Sequence, residues 1–312
     1  MQIIEYPIKE KVNIPKCVLA LGFFDGVHLA HRDLLTRAER IARERGLAFG
    51  VFTFGSGGGI KNGTARLYDD SEKAEIFASL GADLTVIADF GAISGSSPEE
   101  FVKDILVGEL NCTTCVAGFN FRFGKGARAD SNSLRILMSE CGGDAIILDE
   151  ITVDGVTLSA TLIRGLIAEG RIEEANRYLG APYYIKGRVL HGRRDGRKMG
   201  FPTVNINIDE GRIIPRLGVY RTAAVIDGKI YSGVSNIGIC PTFDGREVRL
   251  ETHIIGFDGD LYEREMCIYL LGFLRDERKF GSVEELRAHI DIDKTRAINE
   301  NGEITWQELG LK

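Results

Sequence analysis

The chain lacks any apolar run long enough to cross a membrane as a helix, so a membrane-spanning helical protein is excluded. Its start, Met1-Gln2-Ile3-Ile4-Glu5-Tyr6-Pro7-Ile8-Lys9-Glu10-Lys11, has no apolar core of an export signal, and a cytoplasmic protein is expected. An excess of basic residues is missing too. The formal charge of −6 over 312 residues argues against a nucleic-acid partner held on a general basic surface. It leaves room for local basic pockets around small phosphorylated ligands. Six cysteines are scattered, and the one C-x-x-C, Cys112 and Cys115, has no second Cys/His pair nearby to complete a zinc site. That pair reads either as a redox couple or as ordinary reduced thiols, the latter being what a cytoplasmic chain leads one to expect. No internal repeat is visible, and no low-complexity stretch beyond Gly57-Gly58-Gly59.

What is present is the composition of a globular protein, 44% apolar and 27% charged, with length for two domains. In the first half, apolar runs of strand length (Val18 to Phe23, Leu47 to Phe54, Leu84 to Ala88, Cys115 to Gly118, Ala145 to Leu148) alternate with helical patterns. One helix places Leu34, Leu35, Ala38, Ile41 and Ala42 on one face and stops near Gly46, and another runs from about Ser71 to Leu80. Ser97-Pro98-Glu99-Glu100 is a capping box with proline in the first turn. This alternation predicts an α/β unit with a mostly parallel sheet, whose ligands bind at the carboxyl ends of the strands. Helices over Leu162 to Glu169 and Ile172 to Leu179 close it, and a boundary is expected at Pro182.

Beyond Pro182 the texture becomes all-β. Tyr184 to Val189, Thr203 to Ile208, Gly218 to Ile226, Lys229 to Ser235, Val248 to Gly256 and Glu265 to Leu271 are strand-like. Turn signals at Asp227-Gly228, Asp244-Gly245 and Asp258-Gly259 separate several of them, which predicts a small antiparallel β-barrel. A terminal helix follows, opened by Ser282 and Glu285 and facing Leu286 and Ile290 inward.

The first strand runs through Phe24-Asp25-Gly26-Val27-His28-Leu29-Ala30-His31 into a helix. Such a junction aims backbone N–H groups and the positive helix end at an anion. His28 and His31, one turn apart, can both face a triphosphate and stabilise charge growing on its phosphoryl oxygens. The alternative is one capping and one surface histidine. The dinucleotide fingerprint G-x-G-x-x-G is absent here, which disfavours a dehydrogenase. Ser159, Thr161 and Arg164 form a second candidate phosphate cradle or, alternatively, an ordinary capped helix.

In the second half, His191-Gly192-Arg193-Arg194-Asp195-Gly196-Arg197-Lys198-Met199-Gly200 is a basic glycine-containing loop suited to polyphosphate, or else a solvated hairpin. It leads into Phe201-Pro202-Thr203-Val204-Asn205, where Thr203 and Asn205 share one strand face and can ligate a hydrated Mg²⁺. Glu251 is a lone acid in a strand, which taken by itself reads as a surface carboxylate of an edge strand.

Gly22 to His31 resembles the G-x-F-D-G-x-H-x-G-H signature of bacterial FAD synthetases, within the H-x-G-H nucleotidyltransferase superfamily. Ser159 to Arg164 resembles that family's S-S-T-x-x-R, and Gly118-Phe119-Asn120-Phe121-Arg122-Phe123-Gly124 its flavin-side G-x-[DN]-F-x-F-G. The second half resembles bacterial riboflavin kinase from Gly187-Arg188-Val189 to Lys279-Phe280, through Gly200 to Asn205, Gly218-Val219-Tyr220, Ser235-Asn236-Ile237-Gly238, Pro241-Thr242-Phe243 and Leu250 to His253. The resemblance implies a Rossmann-like nucleotidyltransferase domain over 1–182 and a barrel kinase domain over 183–312. It implies ATP contacts at Gly22, Phe24, Asp25, His28, His31, Ser159, Thr161 and Arg164, and at Gly192, Arg197, Lys198 and Gly200. His28, His31 and Arg164 would act in adenylyl transfer, and Glu251 as base in phosphorylation. Asn120 and Arg275 are flavin candidates, Thr203 and Asn205 would hold Mg²⁺, and riboflavin, FMN, FAD and ATP are the expected partners. The sequence departs from these motifs at Ala30, Ala160, the Gly57–Gly59 tract and Cys240. Ala30, Ala160 and the glycine tract keep a second reading open: a kinase whose first domain only binds flavin or nucleotide. A flavin-sensing regulator or RNA binder is a third, opposed by the acidic balance and by Glu251.

Overall fold

The computed structural model describes residues 1–55, 65–191, 200–242 and 245–311. By its contacts the chain divides into two compact units, Met1–Ala160 and Thr161–Lys312.

The first unit contains strands β1 (Gln2–Tyr6), β2 (Cys17–Leu21), β3 (Ala48–Phe54), β4 (Leu84–Ala88) and β5 (Cys112–Gly118). A short hairpin, β6 (Arg122–Phe123) and β7 (Ala129–Asp130), precedes β8 (Asp144–Leu148), and β9 (Thr152–Val153) with β10 (Val156–Thr157) forms another. Six strands make one parallel sheet in the order β1-β4-β3-β2-β5-β8. Strand β2 is buried along its whole length, as a strand covered on both faces must be. Helix α1 (Leu29–Arg45) packs Leu34, Leu35, Ala38 and Ala42 inward, and Gly46 ends it in the left-handed conformation at φ 65°.

Helix α2 (Asp70–Ser79) starts one residue before the sequence expectation, because Asp69 and Glu72 form its capping box. A short α3 (Phe90–Ile93) follows β4. The expected Ser97–Glu100 box is present, with Glu100 N donating to Ser97 Oγ at 3.1 Å and Ser97 N to Glu100 Oε2 at 2.7 Å. The helix it opens, Glu100–Glu109, is wound as a π-helix. Helix α4 (Ser131–Glu140), capped by Asp130, completes the layer.

In the second unit, helices α5 (Ala160–Glu169) and α6 (Ile172–Leu179) precede six antiparallel strands. These are β11 (Tyr184–Arg188), β12 (Thr203–Asn207), β13 (Gly218–Ile226), β14 (Lys229–Thr242), β15 (Gly245–Ile254) and β16 (Glu265–Arg275). Their order is β11-β16-β13-β14-β15-β12, and a bridge between Leu190 and Asn205 brings the two edges together into a nearly closed barrel. The Asp227-Gly228 turn has positive φ at both residues, 48° and 75°, as a tight hairpin requires. Strands β14 and β16 run further than the sequence indicates, to Thr242 and Arg275, and β15 begins earlier, at Gly245. Helix α7 (Val283–Asn301) closes the unit, with Ser282 capping Glu285 N at 3.1 Å.

Candidate functional site

In the first unit the sheet order reverses beside β2, with β3 on one flank and β5 on the other. The loops after β2 and β5 therefore open a crevice, where ligands of doubly wound sheets bind. The loop after β2 is strained: Phe24, Gly26 and Val27 all have positive φ, and Val27 (40°) is β-branched. This turn drives the Phe24 ring inward, to 1% exposure, against the space a side chain on Gly22 would need. Asp25 Oδ1 accepts from Leu67 N at 3.2 Å, so it braces the chain ahead of α2.

His28 caps α1, its Nδ1 accepting from His31 N at 3.4 Å, and the two imidazoles stack at 3.6 Å between centroids. Burial lowers the His28 pKa from 6.5 to about 4, and burial with the neighbouring His28 lowers that of His31 well below 6.5. Both rings are neutral near pH 7. Among the described residues, His31 Nδ1 is buried without a hydrogen-bond partner. The capping and ligand-facing readings of the pair are thus compatible, since one imidazole caps and the pair still lines the cavity.

That cavity, ≈ 500 Å³, is lined by Gly22, Phe24, Asp25, His28, Ala30, His31, Asn120 and Ser159 among others. Thr161 and Arg164 lie on the first turns of α5, joined at 3.1 Å, and group with the second unit. A second cavity of ≈ 530 Å³ adjoins the first, and of its walls only the segment through Phe121, Phe123 and Gly124 was marked in the sequence. Its walls carry Phe23, Phe54, Phe90, Phe101, Phe121 and Phe123. Ring centroids lie 4.6 Å apart for Phe23–Phe54 and 5.5 Å for Phe54–Phe90 and Phe101–Phe123. Gly124, at φ 73°, seats this wall on Pro98 Cγ, which a side chain would displace. A deep apolar slot of edge and face aromatics suits a flat fused-ring ligand.

In the barrel, Asn205 of β12 lies opposite Glu251 of β15, which lies opposite Asn236 of β14. Thr203 lies opposite His253, two residues along the same faces. A cavity of ≈ 360 Å³ beneath α7 is lined by Thr203, Asn236, Glu251, His253, Arg275, Glu277 and Phe280 among others. Arg275 is held by buried Asp293 of α7, Nη2 and Nε both donating to Oδ2 at 2.8 and 3.1 Å. A second cavity, ≈ 470 Å³, opens on Thr203, Asn205 and the 257–262 loop, where His191 stacks on Tyr262 at 4.0 Å. Thr203 lines both. The Asn205 amide nitrogen reaches Thr203 O at 3.5 Å, leaving its Oδ1 without a donor among the described residues. Cys240 Sγ stands 4.0 Å from Glu251 Oε1, a neighbour the motif comparison marked only as a departure.

Gly200, at φ 85°, is described, whereas Gly192, Arg197 and Lys198 and the Gly57–Gly59 tract lie outside the described residues. Phe243 and Asp244 of the Asp244-Gly245 turn do so as well.

Comparison with known proteins fits this two-part arrangement. The family model described as FAD synthetase matches residues 10–162, and the one described as riboflavin kinase matches residues 179–300. A Listeria monocytogenes protein named bifunctional riboflavin kinase/FMN adenylyltransferase is 38% identical over 289 residues, covering 90% of this chain and 91% of its own. The chain belongs to the bifunctional riboflavin kinase/FMN adenylyltransferase family. A Bacillus subtilis member is 34% identical over 294 residues, covering 91% and 92%. A solved Streptococcus pneumoniae structure named a macrolide-efflux protein superposes with TM-score 0.85 at 28% identity, covering 96% of this chain and 99% of its own. Among the described residues of the present family member, no helix is long and apolar enough to cross a membrane.

Proposed function

We propose that the chain phosphorylates riboflavin to FMN in its barrel and adenylylates FMN to FAD in its parallel-sheet unit, releasing pyrophosphate. One observation carries this reading: each unit holds two cavities that meet, at Thr203 in the barrel and at four shared residues in the parallel-sheet unit, as a transfer between two bound substrates demands.

In the barrel, ATP occupies the cavity beside the 257–262 loop and riboflavin the one beneath α7, with Thr203 between them. Glu251 accepts the proton of the ribityl hydroxyl as its oxygen attacks the γ-phosphorus, a contribution of ~10²–10⁴-fold. Thr203 and Asn205 offer neutral oxygens beside a carboxylate, a set suited to a hard cation that keeps its waters. Mg²⁺ held by Thr203 and Asn205 would supply charge neutralisation on the transferring phosphoryl group. Arg275, fixed by Asp293, contacts flavin or phosphate. In the parallel-sheet unit, the FMN phosphate oxygen attacks the α-phosphorus of ATP without a covalent enzyme intermediate. His28, His31 and Ser159 donate to the phosphoryl oxygens, and Asn120 and the phenylalanine slot hold the flavin. A cytoplasmic site of action and small-molecule partners without nucleic acid go with this reading.

Purified protein given riboflavin, ATP and Mg²⁺ is expected to form FMN, and given FMN and ATP to form FAD, both followed by chromatography. Glu251→Ala is expected to abolish the first conversion and preserve the second. Equal loss of both removes the two-site assignment. FMN formation without FAD leaves the kinase alone, with Ala30 and Ala160 in the nucleotide cavity as the departures to revert first.

A further inference from the structure

The slot lined by phenylalanines and the histidine-bearing cavity overlap at Phe23, Phe54, Phe121 and Arg122. A flavin whose ring lies in the slot and whose phosphate reaches His28 and His31 has to pass this overlap. Arg122 is its only charged member, and among the described residues lining either cavity it is the only lysine or arginine. The histidine-bearing cavity is otherwise lined by the carboxylates of Asp25, Asp33, Asp149 and Glu150. An entering phosphate monoester, carrying a charge near −1.5 to −2 at pH 7, meets a repulsive field there unless a cation intervenes.

Arg122 is placed to be that cation. It sits on β6, opposite Asp130 in the hairpin. The Asp130 carboxylate is engaged in capping α4, accepting from Ser133 N and Ser133 Oγ at 2.9 Å each. The Arg122 side chain is exposed and makes no hydrogen bond or ion pair with the described residues, its charge reaching the Asp130 carboxylate only at longer range, so its planar set of donors is uncommitted. Resting on the adenylyl-transfer reading, we infer that Arg122 reads the phosphate of FMN at the junction of the two cavities. It thereby selects phosphorylated flavin over flavin lacking the phosphate and holds the attacking oxygen near the α-phosphorus. The guanidinium matches a phosphate bidentately, which an ammonium does not.

The contact exists before and during transfer, so its loss should appear in KM for FMN rather than in kcat. The test measures FAD formation from FMN by the full chain, with lumiflavin as competitive inhibitor. Lumiflavin presents the flavin ring without a ribityl phosphate and cannot be phosphorylated by the barrel. Arg122→Gln is expected to raise KM for FMN about 10–100-fold, to leave kcat within about threefold and to leave the lumiflavin inhibition constant unchanged. Arg122→Lys should recover part of the loss. Riboflavin phosphorylation by the same samples normalises for intact chain, and the unchanged lumiflavin constant reports that the parallel-sheet unit is folded. The inference is overturned if KM for FMN stays put, if lumiflavin binding weakens in parallel, or if kcat alone falls. If the unmodified chain forms no FAD, the adenylyl-transfer reading fails first and this inference with it, an outcome distinct from an unaltered variant.

Discussion

The stacked histidines allow a prediction worked from the free protein. Burial lowers the His28 pKa from 6.5 to about 4, so protonating it in the folded chain costs about 3 kcal/mol more than in the unfolded chain. Between pH 6.5 and 4 the unfolded chain therefore binds more protons, and stability falls as the pH falls through that window. At pH 5 the loss from His28 alone is about 2 kcal/mol, and the depressed pKa of His31 acts in the same direction. A bound triphosphate reverses the balance by favouring imidazolium, so ATP should raise both pKa values and tighten as the pH drops toward 5.5. The chain has five histidines, and ¹³C labelling of their Cε1 atoms gives a tractable titration by NMR. His28→Asn keeps a capping side chain while removing one titrating ring, and it assigns that resonance. Two resonances should stay at neutral-imidazole shifts down to pH 5 without ligand and move on addition of ATP. Midpoints near 6.5 in the ligand-free chain would refute the burial argument.

Phe23, 43% exposed at the mouth of the phenylalanine slot, adds little to stability. Phe23→Ala should raise KM for FMN in FAD formation about 5–10-fold while thermal unfolding changes little. In the barrel interior Ser235 Oγ bonds Thr222 Oγ1 at 2.9 Å and Thr252 Oγ1 at 2.8 Å, all three buried. Ser235→Ala strands two hydroxyls and should cost about 1–3 kcal/mol in urea denaturation. Removing the carboxylate that fixes Arg275, by Asp293→Ala, should destabilise by about 2 kcal/mol, less than a fully buried pair because Arg275 keeps some solvent. The same change should raise KM for riboflavin, read in the FMN assay.

The parallel-sheet unit was legible where apolar runs meet capping chemistry, as at Cys17–Leu21, Gly46 and the Ser97–Glu100 box. Strand β1 escaped notice because it is an edge strand, burying only Ile4 and Tyr6 against β4. Helix α4 was hidden by its polar start and buries only Leu134 and Met138. Strand β14 runs past Gly238 and Pro241, residues that sequence reasoning takes as breakers. Gly238 persists in the strand because the Glu277 carboxylate lies where a side chain would go. The two histidines were found from one local motif. Of the phenylalanine slot only the Phe121–Phe123 wall was marked, since the other walls come from chain segments between Phe23 and Phe101 that carry no shared spacing.

The hydroxyl chain of Thr222, Ser235 and Thr252 also bears on where Glu251 points. Successive residues of a strand face opposite ways, so moving β15 by a single position past its neighbours would turn Glu251 into the barrel and put Leu250 before the substrate. Apolar interior residues such as Ile206, Ile237 and Leu250 would resist that slip only through packing. The three hydroxyls resist it by direction, because each finds its partner only in the native alignment. Their contribution is then to fidelity of strand pairing during folding as well as to stability afterwards. A barrel lacking them would be expected to yield a fraction of molecules that are compact, properly β-structured and devoid of a base.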